Sequence, residues 1–575
     1  QREDAMLIFD LETDGLLDDV TKVHCVAIQD TDTGKVTRCD PTGIGFALAT
    51  LDGAEVIGGH NVMNYDLPVL EKLYGWEPKA KVFDTLVASR LIWPNMKEKD
   101  MLKRTVDNKL IGSHSLKAWG QRLKFHKGDY GEQDEAWDAY TPEMLDYCVQ
   151  DVALNVKLYE LILSKKYPEE PMKLEHEMNR LLIKQQIEGF PFDVPKAQKL
   201  YTLLSTRKLE IETELVETLE PTIIELKTKT KTIPFNPASR QQIADRLQRR
   251  GWVPKEFTPS GEPKVDEKIL SGIDLPEAGL LTEFLMLNKR LGQLGNGKQA
   301  WLKLERSGRI HGRVNHMGAV TSRCTHSDPN VAQVPSAGAA FGKECRELFH
   351  APSGYTLLGA DASGLELRCL AHYMNRFDGG RYGKEILEGD IHTANQLAAG
   401  LATRPQAKTF IYGFLYGAGN EKIGQIIGKG AKEGGQIKKR FLAKTPALKK
   451  LTEALNTRLD NQRGEKFING LDGRRIPIRH PHAALNTLLQ SAGAIICKRW
   501  YVSVEQMIRA KGYTQEQVSI VAFVHDEVQI LVKKGLEDAI GAITKEAIKE
   551  TELHYDFKCA LDSEFQVGAS WADTH

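Results

Sequence analysis

Short apolar runs and longer amphipathic stretches alternate along this chain, and their order predicts its elements. Met6-Leu7-Ile8-Phe9 and Val23 to Ile28 read as strands, and Glu143 to Leu163 reads as a helix. Lys165 to Lys173, with Pro168 and Pro171, breaks the pattern and predicts a boundary. Residues 174 to about 295 are mainly helical, with two long charged amphipathic stretches separated by the polar, proline-bearing segment Glu220 to Pro237. Beyond about 296 the pattern is mixed. Tyr355 to Asp361 predicts a strand, Thr403 to Gly417 a helix, and Val518 to Val532 a strand, a tight turn and a strand. No repeat or low-complexity tail is present. A chain of 575 residues exceeds what one hydrophobic core organises, so several domains are expected.

Composition narrows the picture without deciding it. Hydrophobic residues make up 41% and charged residues 27%, as in ordinary globular proteins. Lys+Arg and Asp+Glu are balanced at 77 each, so a polyanionic ligand needs a local basic surface. Gly428 to Lys450 is one, with Lys429, Lys432, Lys438, Lys439, Arg440, Lys444, Lys449 and Lys450 against Glu433 alone. Taken by itself, such a run is first read as a solvated helix face. The eight cysteines form no Cys-x-x-Cys, which leaves zinc and redox readings unsupported. No apolar run reaches membrane-spanning length and no signal peptide is evident, so no membrane partner and a reducing cytoplasm are expected. Gln1 to Ala5, ahead of Met6, read as a remnant or processed leader.

Two sets of carboxylates carry the chemistry. In Leu7-Ile8-Phe9-Asp10-Leu11-Glu12, alternation puts Asp10 and Glu12 on one strand face, where they can share a cation. Asp66 lies in Asn61-Val62-Met63-Asn64-Tyr65-Asp66, and Tyr147 and Asp151 sit four apart on a predicted helix. The second set is Asp361, ending the apolar strand from Tyr355, and Asp526, in a hydrophobic run from Val521 to Ile530 interrupted by His525-Asp526-Glu527. A charge in a turn between apolar strands needs a cation or a partner to offset its desolvation. Paired divalent cations about 4 Å apart can clamp both oxygens of an in-line phosphoryl displacement. Between Asp361 and Asp526 lies a helical stripe, Arg404, Lys408, Tyr412 and Tyr416, recurring every four residues. Two cations followed by two rings suit a nucleoside triphosphate, and Thr403 is a plausible N-cap ahead of Pro405.

The order Asp-x-Glu, Asp, Tyr-x-x-x-Asp resembles the DEDD exonucleases with a tyrosine in the last motif, on a ribonuclease-H-like fold. Asp-x-x-x-x-Glu from Asp361, Arg-x-x-x-Lys-x-x-x-Tyr-x-x-x-Tyr-Gly from Arg404 and Val-His-Asp-Glu from Val524 resemble motifs A, B and C of family A (DNA polymerase I) polymerases. The runs Asp361 to His372, Gly389 to Thr393, Ala407 to Ala418 and Pro481 to Gly493 resemble more closely still the replicative polymerases of T-seven-like bacteriophages, and the likeness extends from Met6 to the C-terminus.

The resemblance implies a multidomain α/β plus α+β chain: a ribonuclease-H-like 3′-5′ exonuclease domain at 6–168, then a right-hand polymerase with thumb 174–295, palm 296–373, fingers 374–484 and palm again 485–575. It implies that Asp10, Glu12, Asp66 and Asp151 hold two Mg²⁺ ions, with Tyr147 placing the attacking water. Asp361 and Asp526 would hold two more, with Glu527 assisting; Mn²⁺ is an expected substitute. His392, Arg404 and Lys408 would contact the triphosphate, with Lys408 also a proton donor to pyrophosphate. Tyr412 would stack on the incoming nucleotide, Tyr416 would sit near the templating position, and Glu366 would crowd the sugar 2′ position. Arg323 and Gln490 would read minor-groove acceptors, and His525 would touch the primer end. Expected partners are primer-template DNA, deoxynucleoside triphosphates, a phage helicase-primase and a single-strand binding protein, acting on a monomer in the host bacterial cytoplasm. The phage enzymes carry a thumb insertion that captures thioredoxin. Here Glu220 to Pro237 is expected to connect the helices directly, and no thioredoxin dependence is expected. Glu366 and the exonuclease pattern disfavour a single-subunit RNA polymerase, intact carboxylates disfavour a non-catalytic DNA-binding relative, and no stretch remains for a 5′ nuclease.

Overall fold

The first strand, Leu7–Thr13, alternates Ile8 and Asp10 with Phe9 and Leu11, and this alternation builds a layer on each side of it. The computed structural model describes residues 6–125, 130–133 and 135–575, so the reading of residues 1–5 falls outside the described residues. Leu7–Thr13 is the centre of a five-stranded sheet, ordered Val36–Cys39, Val23–Asp30, Leu7–Thr13, Val56–Gly59, Lys81–Asp84. Pairing is antiparallel towards the first edge and parallel towards the second. Phe9 and Leu11 pack with Ile57, Val69 and Leu70 on one face. Ile8 packs on the other with Cys25, Ala27, and Cys148 and Val152 of the Pro142–Ser164 helix. This is the ribonuclease-H-like layer the sequence implied. The helix starts because the Thr141 hydroxyl accepts the Met144 N–H at 3.1 Å and Pro142 needs no intrahelical donor.

The predicted break is shorter than its prolines suggested. The next helix, Glu169–Glu188, is capped at Pro168 and takes Pro171 into its first turn, where a missing N–H costs nothing. A second correction concerns Glu220 to Pro237, which does not pass directly between helices. Thr222–Glu225 and Thr230–Ile233 form an antiparallel hairpin there, favoured by β-branched Thr and Ile. Arg246 anchors its base, donating to the Glu220 carbonyl at 2.9 Å and the Thr222 hydroxyl at 2.8 Å.

A four-stranded antiparallel sheet organises the C-terminal portion, ordered Val518–Val524, Glu527–Lys533, Tyr355–Ala362, Ser563–Gly568. Leu358, Ala360, Val528 and Ile530 face the core shared with the helices Leu365–Asp378 and Ala484–Ala510. Leu357, Val521 and Leu531 face the other core, with Phe349 and Trp571. The motif helix, Arg404–Leu415, buries Phe410 against Phe441 of the Ala431–Lys444 helix, with ring centroids 5.1 Å apart. On that second helix Ile437 and Phe441 are buried while Lys432, Lys439, Arg440 and Lys444 are exposed, as a solvated basic face requires. Among the described residues no helix is long and apolar enough to cross a membrane.

Candidate active sites

The palm-like sheet brings Asp361 and Asp526 to neighbouring strand ends. Asp361, next to last in Tyr355–Ala362, stands opposite Glu527 on one side and Glu564 on the other. Asp526 occupies the two-residue turn between Val518–Val524 and Glu527–Lys533, and its carbonyl accepts the Ala362 N–H at 3.2 Å. The turn puts His525 in the left-handed region, φ 56°. Burial, reinforced by Glu366, Asp361 and Glu527, lifts the Asp526 carboxyl from the ordinary 3.8 to about 6. Burial also raises Asp361, with Glu564 and Glu527 adding to it and His575 opposing.

A cavity of about 400 Å³ opens beside this turn, lined among others by Arg323, Glu366, Tyr416, Gln490, His525 and Asp526. Residues that are far apart in sequence thus meet in one space. The Glu366 carboxylate accepts the Tyr416 hydroxyl at 2.9 Å, and the Arg323 guanidinium lies 5.9 Å from the centre of the Tyr416 ring. Glu527 sits differently from its neighbours. It is buried, and its carboxylate takes bonds from Trp571 Nε1 at 3.2 Å, Gln529 Nε2 at 3.2 Å and His575 Nδ1 at 2.6 Å. It therefore acts on Asp361 and Asp526 as a nearby negative charge held in place.

The cationic stripe is assembled at the start of the motif helix. Thr403 and Gln406 form a capping box, at 3.3 and 3.2 Å, and expose Arg404 in the first turn. Arg404 is paired in this state: its Nε donates to Asp390 at 2.9 Å. Asp390 also caps the Ile391–Ala399 helix through the His392 and Thr393 N–H groups, which places His392 beside the stripe. The His392 ring centre is 6.1 Å from that of Tyr412, and burial, with Arg404 and Lys408 adding to it, depresses its basicity. Lys408 is exposed. The helix is shorter than predicted, ending at Leu415 with Tyr416 as its cap, so the tyrosine turns off the stripe towards Glu366.

In the N-terminal layer, Asp10 and Glu12 share the strand face that meets the Pro142–Ser164 helix. Ligand atoms of Asp10, Glu12 and Cys148 lie within 4.8 Å of one another. The Cys148 thiol donates to the Asp10 carbonyl at 3.4 Å. Tyr147 and Asp151 flank Cys148 on that helix; Tyr147 packs against Tyr130 and Trp137, and Asp151 is buried. Asp66 begins the Asp66–Tyr74 helix with 3% of its surface exposed. Burial, with Asp10 beside it, drives its carboxyl well above the ordinary range.

The profile of DNA polymerase family A matches residues 203–573. The chain belongs to DNA polymerase family A. It is similar to the DNA-directed DNA polymerases of Enterobacteria phage T3 and Escherichia phage T7, at 39% and 38% identity over 99% of this chain and 100% of theirs. Both alignments run over 704 positions, so this 575-residue family A chain lacks segments those relatives carry. Among solved structures, the polymerase domain of Pol1 from M. smegmatis, in complex with DNA primer-template and dNTP, has the same fold. Its TM-score is 0.77 at 19% identity, covering 98% of this chain and 96% of that one.

Both carboxylate sets of this family A member suit divalent cations. Asp66 Oδ1 is buried without a hydrogen-bond partner, and Asp526 is held among like charges. A positive ion would offset both conditions. Several residues in these sites carried no readable sequence signal. Cys148 is one of eight cysteines that form no Cys-x-x-Cys. Asp390 has an N-cap position before Ile391, which a capping search finds. Lys498 and Glu564 meet the site of Asp361 and Asp526 through tertiary packing.

Proposed function

We infer that this chain extends a primer 3′ end with deoxynucleotides, copying a DNA template. We also infer that its N-terminal layer removes nucleotides 3′ to 5′ as a proofreading exonuclease. The observation that carries the reading is the cavity in which Asp526 joins Glu366, Tyr416, Arg323 and Gln490 in a family A chain. Asp361 and Asp526 would hold two Mg²⁺ ions at the polymerase site, and Asp10, Glu12, Asp66 and Asp151 two at the exonuclease site. Bound there, Mg²⁺ supplies Lewis-acid activation of the attacking oxygen and neutralises charge on the phosphates. Mn²⁺ would take the same oxygen ligands.

The chain's own groups do the rest. His392, Arg404 and Lys408 would grip the triphosphate, with Arg404 exchanging Asp390 for phosphate oxygens. Lys408 would deliver a proton to the leaving pyrophosphate. Tyr412 would stack on the nucleotide, and Glu366, braced by the Tyr416 hydroxyl, would leave no space for a 2′-hydroxyl. Arg323 and Gln490 would donate to minor-groove acceptors, which occupy similar places in all four correct pairs and so report pair geometry. His525 would meet the primer end. In the other site Tyr147 would orient the attacking water. A division into exonuclease 6–168, thumb 174–295, palm 296–373 and 485–575, and fingers 374–484 suits these roles. So does a monomer working in a host bacterial cytoplasm with a helicase-primase and a single-strand binding protein. Asp526→Ala should abolish primer extension and spare degradation of single strands, and Asp10→Ala with Glu12→Ala should do the reverse. Loss of both activities in both variants would overturn the two-site assignment.

A further inference from the structure

Two consecutive residues of the Glu169–Glu188 helix point at the two sites. Successive helical residues diverge by about 100°. Glu175, fully buried, accepts from Lys498 Nζ at 2.6 Å, Arg474 Nη1 at 2.7 Å and His316 Nδ1 at 2.7 Å. Lys498 lies on the Ala484–Ala510 helix and lines the Asp526 cavity. His176 faces the N-terminal layer instead. Its Nδ1–H donates to the Met172 carbonyl at 2.8 Å, which leaves Nε2 to accept the Asp84 N–H at 2.9 Å. Asp84 ends the strand Lys81–Asp84, and its carboxylate accepts the N–H groups of Asn61, Met63 and Leu86 at 2.8, 3.2 and 2.9 Å. Those bonds hold the turn that delivers Asp66, in which Asn61 takes the unfavourable φ of 62°.

We propose that His176 is a positioning residue for the exonuclease site, acting through Asp84 on the Asn61–Asp66 turn. Glu175 beside it ties the same helix to the polymerase core. The inference rests on reading the Asp10, Glu12, Asp66 and Asp151 set as the nuclease. The buried Asp84 N–H takes its acceptor, among the described residues, from His176. Without it the donor is stranded, the Asp84 carboxylate shifts, and the turn loses its clamp. The exonuclease ligand set is thereby fixed in the frame of the polymerase site.

The test uses the full chain with His176→Phe, which keeps a ring against Phe83, now 5.0 Å from the imidazole, but removes the acceptor. In EDTA, amide exchange at Asn61 and Met63 should quicken roughly tenfold, the effect of one stranded buried donor, with the palm unchanged. The Mg²⁺ concentration for half-maximal single-strand degradation should rise several-fold, the rate recovering at saturating Mg²⁺, while primer extension keeps its rate. His176→Gln, whose side-chain oxygen reaches the Nε2 position, should move both readouts back. Asp84→Asn, which leaves the His176 bond in place but weakens the clamp, should raise the Mg²⁺ requirement in the same direction and guards against misfolding of the first variant. Unchanged exchange at residues 61–63, exchange that quickens equally in the palm, or an unchanged Mg²⁺ requirement would each overturn the proposal. Asp66→Ala separates the two claims. If degradation survives it, the nuclease reading fails; if degradation is lost while His176→Phe behaves as the parent, only the positioning role fails.

Discussion

Asp526→Asn should make the metal-free protein more stable while removing its polymerase activity. Burial and three neighbouring carboxylates, Glu366, Asp361 and Glu527, lift the Asp526 carboxyl from the ordinary 3.8 to about 6. At about 1.4 kcal/mol per pH unit, the ionised side chain costs the fold about 3 kcal/mol at neutral pH, an upper bound once neighbours relax. Asparagine keeps the size and removes the charge, so a gain of about 1–3 kcal/mol is expected. For a domain of roughly 150–250 residues each kcal/mol raises the melting step by roughly 2–4 °C. The folded-state value is raised, so the cost is fully present above about pH 6 and disappears below the unfolded value near 4. The advantage of Asp526→Asn should therefore be largest at pH 7.5 and fall to about a third of that at pH 4.5. Thermal or urea unfolding of parent and variant in EDTA at the two pH values measures it. A variant no more stable than the parent at pH 7.5, or a gap that does not narrow on acidification, would refute the picture of a buried carboxylate ionised against its acidic neighbours.

Glu175→Gln leaves Lys498 and Arg474 sharing one neutral oxygen, with Asp472 as the remaining carboxylate among their described partners, and loss of one member of such a buried set costs about 3–5 kcal/mol; urea unfolding within about 1 kcal/mol of the parent would contradict this. Because Lys498, Arg474 and His316 outweigh burial and hold the Glu175 carboxyl well below its ordinary 4.5, its contribution is present above about pH 4.5 and is lost on acidification below that. Tyr412, by the family pattern, predicts ready incorporation of dideoxynucleotides; chain-termination assays should show Tyr412→Phe discriminating more strongly, and equal, strong discrimination in both proteins would count against it. The compact hairpin at Thr222–Ile233 leaves no long insertion between the helices Val194–Thr218 and Arg240–Arg249, so added thioredoxin should not lengthen the products made per binding event; longer products would refute this.

Legibility followed the range of the interactions. Asp10 and Glu12, two apart on a strand, and Tyr147 and Asp151, four apart on a helix, share faces by local geometry, and the alternation and helical spacing found them. The hairpin carrying His525-Asp526 was equally local, since two apolar runs flank one polar turn. The boundary near 168 was blurred because a proline in a first helical turn looks in sequence like a proline that ends one. The Thr222–Ile233 hairpin carries no signature in the sequence because Thr and Lys dominate it: Ile223 is exposed, so no apolar face announces the strands.

The partners that set function from a distance had no signature at all. Glu175 meets Arg474 and Lys498 across separations of 299 and 323 residues, and each is an unremarkable charged residue in its own segment. A charge is tolerated in a core only when its counter-charges are buried with it, so such a cluster holds as a unit. Glu175 and His176 are neighbours on one helix, yet one is anchored by ion pairs and the other by an accepted N–H. Removing the first should loosen the whole interface, and removing the second should loosen only the Asn61–Asp66 turn. That difference is what makes the link between the sites separable by mutation: a common scaffold would lose both activities together, whereas this arrangement predicts that degradation can be weakened through His176 while synthesis continues.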